Sequence, residues 1–151
     1  MERRHHLARW TCLVLLLCLT QAVQAAAPPL RYAVNVAAGV VRDTATGLIW
    51  QRTLSSTTYS WDDAKTYCQE LPLDGKRWRL PSIKELLTLI DPTQRMPAID
   101  PTAFPQTPSE QFWTSTPEQA SDGYSKWRLD FSYGSTSAMA PEAAYRVRCV
   151  Q

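Results

Sequence analysis

The stretch Ser60-Trp61-Asp62-Asp63-Ala64-Lys65-Thr66-Tyr67-Cys68 decides how this chain is read. Ser60 with Asp63 three residues on marks a helix N-terminus, and Trp61, Ala64, Cys68 and Leu71 then recur at helical spacing on one face. Cys68 thus falls on the buried side of a helix. A cysteine there can be a nucleophile, a metal ligand, half of a disulfide or a small core residue, and the remainder of the chain has to choose. Asp62 and Asp63 are paired carboxylates, but in the first turn their charge offsets the helix macrodipole, so they read as structural rather than as acid/base groups.

The beginning of the chain narrows the choice. Arg3, Arg4 and Arg9 precede an apolar run over residues 12–19 and then small residues, the anatomy of a secretory signal peptide. The run is too short for a permanent membrane anchor, and Val23-Gln24-Ala25 places the expected cleavage after Ala25. Residues 1–25 are therefore expected as signal peptide, 26–35 as an N-terminal tether and 36–151 as one domain. A lipoprotein attachment at Cys18 is the weaker reading, because Leu17 stands where a small residue is wanted. Cleavage removes three of the 16 basic residues and one of the 14 acidic ones, leaving 13 of each. A mature chain near neutrality has no global field for nucleic acid or an anionic membrane. Both histidines, His5 and His6, also depart, which excludes a Ser-His-Asp triad, a Cys-His pair and a histidine-liganded zinc.

Cys68 and Cys149 are the cysteines that remain. In an exported chain the default reading is one disulfide between them, with free thiols or intermolecular pairing as the alternatives. A bridge would close a loop of 81 residues, worth roughly 4.5 kcal/mol by chain entropy.

Further along, residues 40–42 and 48–52 read as the arms of a β-hairpin around the Gly-containing turn at 43–47. Ser82-Ile83-Lys84-Glu85 fits a capping box, and Ile83, Leu86, Leu87 and Ile90 form the apolar stripe of a second helix that Asp91-Pro92 ends. Five prolines between 92 and 111 predict a long ordered loop. Strands are expected over 112–115, 124–132, 136–139 and 145–150. In the second of these Trp127, Leu129 and Phe131 alternate with Lys126, Arg128 and Asp130; in the last, Val147 and Cys149 point inward while Arg146 and Arg148 share the other face.

Three groups invite a site. Lys126, Arg128, Arg146 and Arg148 would line one side of neighbouring strands as a cradle for sulfate or carboxylate, against the plainer reading of a solvated face. If exposed, Arg128 and Arg146 could be replaced by Gln with little change in melting temperature but weaker retention on a heparin-like column. Lys76-Arg77-Trp78-Arg79 has the composition of an anion or glycan surface, yet stands where it would open a capped helix, with Trp78 in the core and Arg79 in a fixed salt bridge or bonded to a backbone carbonyl. Asp91, Asp100 and Asp122 could hold Ca²⁺, but Asp-Pro at 91–92 and 100–101 is turn chemistry, so no metal is assigned.

Asp43 to Gln51, Trp61-Asp62-Asp63-Ala64 with Cys68, Trp78-Arg79-Leu80-Pro81-Ser82 with Glu85-Leu86, Phe112-Trp113-Thr114-Ser115 and Tyr145-Arg146-Val147-Arg148-Cys149-Val150 together resemble the Lcl C-terminal domain family. These are exported bacterial domains of largely unknown function, named for a collagen-like adhesin. The resemblance implies an α+β fold similar to the C-type-lectin and formylglycine-generating-enzyme superfold: two helices on a twisted antiparallel sheet, with the Cys68 helix stapled to Cys149 on the last strand. It carries over no calcium-dependent sugar site, since no Glu-Pro-Asn, Gln-Pro-Asp or Trp-Asn-Asp triplet occurs, and no collagen-like stalk. The expected function is a non-catalytic, adhesin-like binding module, periplasmic or on the cell surface, for an acidic glycan or an envelope protein. No cofactor is expected, and no integral membrane segment after cleavage. A formylglycine-generating-type enzyme, which needs reactive cysteines, and a structural part of an envelope assembly are the rivals.

Overall fold

The computed structural model describes residues 30–121 and 123–151; the expected signal peptide and Asp122 lie outside the described residues. The architecture is α+β, with two three-stranded antiparallel sheets and two helices. Strands β1 (Tyr32–Asn35), β2 (Val40–Asp43) and β3 (Ile49–Gln51) form the first sheet in that order. Helices α1 (Trp61–Gln69) and α2 (Ile83–Leu87) follow. Strands β4 (Gln111–Pro117), β5 (Lys126–Asp130) and β6 (Ser135–Met139) form the second sheet, with a 3₁₀ turn at Gln119–Ser121. Two small sheets replace the single one expected, and β1 occupies a stretch assigned to the tether.

The local signals explain the elements. Gly47, at φ +79°, closes the β2–β3 turn in a conformation L side chains rarely adopt, and Ala45 N–H bonds the buried Asp43 carboxylate at 3.0 Å. Burial opposes ionisation of Asp43, but the Arg31 guanidinium at 2.6 Å, the Ala45 amide and the Thr46 hydroxyl together outweigh it and hold the pKa below the ordinary value. Ser60 caps α1 by accepting from Asp63 N–H. Ser82 and Glu85 form the reciprocal capping box of α2. That second helix is shorter than its apolar stripe suggested: Thr88 N–H turns back to Glu85 O, three residues earlier, and the next two amides do likewise. The tightened turn buries Leu89 and leaves Leu87 exposed, the reverse of a continued α-helix.

Two cores result. Trp50, Leu86, Leu89, Phe104, Phe112, Leu129, Phe131 and Val150 pack in the first; Ala64, Cys68, Trp78, Leu80, Trp113, Val147 and Cys149 pack in the second. Residues 91–110 contain neither helix nor strand, yet Ile99, Ala103 and Phe104 fill the first core.

The C-terminal residues 145–151 run between the cores rather than forming a strand of either sheet. Tyr145 exchanges backbone hydrogen bonds with Tyr59, Arg146 bonds Gln111 and Trp113, Val150 pairs with Arg79, and Cys149 O accepts from Gln51. A ladder needs one partner strand over successive residues, and here the partner changes every residue or two. Side chains alternate, so Val147 and Cys149 enter the second core while Val150 enters the first. Cys149 reaches Cys68 on α1 with an S–S distance of 2.03 Å, both residues having no solvent exposure.

Candidate functional site

The four cations singled out on the strands do not form an open cradle. Arg148 is fully buried, contrary to its expected outward face, because the tail has a core on each side. It donates to Gln51 O at 2.6 Å, Arg52 O at 3.0 Å and Thr107 Oγ1 at 2.7 Å, and lies over the Phe104 ring. Burial lowers its pKa well below the ordinary arginine value. Arg128 shares the face of Trp113, its cross-strand partner, and stacks over Tyr145 at 4.5 Å while donating to Gln111 Oε1. Lys126 donates to Gly123 O and lies over the Trp61 ring, which also carries Lys65. Arg146 pairs with Glu110 at 2.7 Å and donates to Ser56 O. Each cation is engaged within the domain.

The other sequence candidates resolve as architecture. Trp78 is buried and donates to Leu73 O at 3.0 Å, while Arg79 grips both oxygens of Glu85 at 2.6 and 2.8 Å. That ion pair, reinforced by the Ser82 amide and hydroxyl, carries the Glu85 pKa down to about 2 although partial burial works against it. Asp91 accepts from Thr93, and Asp100 from the amides of Thr102 and Ala103, as turn carboxylates do. Among the described residues no group of three or more His, Cys, Asp or Glu is placed to hold a metal, and no helix is long and apolar enough to cross a membrane.

A different surface carries open polar capacity. The segment 54–60, Leu-Ser-Ser-Thr-Thr-Tyr-Ser, contributes walls to three clefts. One of about 270 Å³ lies between Ser55, Ser56, Gln106, Pro108 and Arg146. A second, of about 310 Å³, is bounded by Thr58, Glu110, Gln111 and Tyr145. The largest, about 490 Å³, runs along α1 between residues 57–60 and Asp63, Thr66, Tyr67 and Glu70. Its aromatic wall is the stacked pair Tyr59 and Tyr67, 4.8 Å between ring centroids. The Tyr67 hydroxyl accepts from Gln51 Nε2 at 2.7 Å, and Gln51 Oε1 in turn accepts from Cys149 N–H, so the wall is braced against the tail. Burial raises the Tyr67 pKa. Thr57 and Thr58 hydroxyls and the Glu70 carboxylate make no side-chain hydrogen bond or ion pair among the described residues.

These residues escaped the sequence reading, which followed charge. The signal was six hydroxyl side chains within the seven residues 54–60, directly ahead of a capped helix. So dense a run exceeds what one N-cap requires.

Fold and clefts define a disulfide-stapled α+β domain with a hydroxyl-lined face beside its first helix. The model of the Lcl C-terminal domain matches residues 39–151, and the chain belongs to that family. Among curated proteins nothing matches it.

Proposed function

We propose that this protein is an exported, non-catalytic binding module of a bacterial envelope, organised like a C-type-lectin-like domain, and that it takes a glycan on the face built by residues 54–60. The observation that carries this is the convergence of three clefts on one hydroxyl-rich segment, the largest with a volume typical of small-ligand sites. Hydroxyls that both donate and accept suit sugar hydroxyls, and the flat tyrosine wall offers an amphipathic surface to a sugar ring. The thiol-dependent enzyme reading loses support from the burial of Cys68 and Cys149 in one bridge, which leaves neither sulfur as a free nucleophile. The tethered, adhesin-like role follows from the expected leader and the family's exported character.

A glycan array probed with the disulfide-bonded chain and with Thr58→Trp tests this. Thr58 walls two of the clefts, so the variant should lose the wild-type signal while keeping its melting temperature. An array blank for both proteins, alongside one envelope protein co-purifying in fixed ratio, would establish a structural component instead.

A further inference from the structure

We infer that the cleft along α1 selects a glycan bearing free, protonated amino groups, such as an oligomer of glucosamine, over neutral or sulfated sugars. The inference rests on the glycan-binding reading and adds the charge class of its ligand. Its basis is the outer face of α1. Asp63, Thr66, Tyr67 and Glu70 recur at i, i+3, i+4 and i+7, so they form one polar stripe, turned away from the buried Ala64 and Cys68. Two carboxylates therefore line the cleft at its two ends, and none of its eight lining residues is a Lys or Arg.

The two ends differ. Asp63 belongs to the N-terminal cap, where its carboxylate accepts from Ser60 Oγ at 2.7 Å and faces the positive end of the helix dipole. Glu70 is the C-cap, exposed and without a side-chain partner among the described residues, and no basic residue stands in the last turn. There the carboxylate adds to the negative end of the dipole, and nothing on the helix offsets either. A cation from outside is the natural complement of that corner. The hydroxyls of Thr57 and Thr58 face the same cleft and can bond the sugar's own hydroxyls. An ammonium at the Glu70 end with hydroxyls toward residues 57–58 describes an amino sugar better than a lysine side chain, which brings the charge but no polyol.

Calorimetric titration of the disulfide-bonded chain with a glucosamine tetramer, its N-acetylated counterpart, a heparin tetrasaccharide and an oligolysine peptide separates the cases. The free-amine tetramer is expected to bind best, to weaken with added salt, and to lose about threefold or more in affinity in Glu70→Gln with the melting temperature unchanged. Equal binding of both tetramers, unaltered in Glu70→Gln but lost in Thr58→Trp, would overturn the charge selection and leave the glycan site standing. Preference for heparin, binding of oligolysine alone, or no binding by any probe would overturn the inference outright.

Discussion

The cations of β5 and the C-terminal tail and the cleft along α1 are two polar neighbourhoods of the domain, and they use their polarity oppositely. Lys126, Arg128, Arg146 and Arg148 carry four positive charges, yet each lies over an aromatic ring, in an ion pair or against backbone carbonyls. The cleft has fewer formal charges but leaves Thr57, Thr58 and Glu70 without side-chain partners among the described residues. Binding capacity follows from hydrogen-bonding groups left open, not from the number of charges a segment contains. A cation already satisfied must break its internal contacts before it can serve a ligand.

Perturbations can be ranked by how far they disturb the two neighbourhoods. The disulfide holds both, since it joins α1 to the tail that carries Arg146 and Arg148. Cys68→Ala with Cys149→Ala should lower stability by about 4 kcal/mol for the 81-residue loop, measured by denaturant unfolding. Arg148→Ala comes next, at about 3 kcal/mol, because it leaves a cavity and strips partners from Gln51 O, Arg52 O and Thr107. A solvated arginine would cost almost nothing there. The Arg79–Glu85 pair should contribute about 1 kcal/mol or less, half-exposed as it is, and with a defined pH course. Glu85 has its folded pKa lowered from 4.5 to about 2, so its contribution is present above 4.5 and is lost as pH falls from there toward 2. Melting temperatures of wild type and Glu85→Gln should therefore differ at neutral pH and converge across that window. Smallest is Thr58→Ala, expected within about 0.5 kcal/mol of wild type, since the exposed hydroxyl makes no bond among the described residues.

Much of the fold was legible in advance. The hairpin turn at Gly47, the caps at Ser60 and Ser82 and the inward Cys149 are local signals, set by residues within a few positions of one another, and each has its place in the structure. What escaped depended on contacts distant in sequence. Period-two alternation in residues 145–150 is the pattern of a half-buried strand, but a segment passing between two cores buries both faces, and an arginine is held there by two backbone carbonyls and the Thr107 hydroxyl, which accept from its terminal nitrogens. Strand β1 escaped because it is short and largely exposed, Val34 included, and its pairing with β2 supplies the order. The polar stripe of α1 is the complement of the apolar face that helical spacing showed, but only the fold brings residues 57–60 alongside it.

The double variant Arg128→Gln/Arg146→Gln, followed by melting temperature and by retention on immobilised heparin, tests the central claim most directly. The account predicts a loss of roughly 1 to 2 kcal/mol, a few degrees in Tm, from the broken Tyr145 stacking, Gln111 bond and Glu110 ion pair. Retention should match that of the wild type. An unchanged Tm with clearly earlier elution would contradict it, and would make these arginines a free anion-binding face.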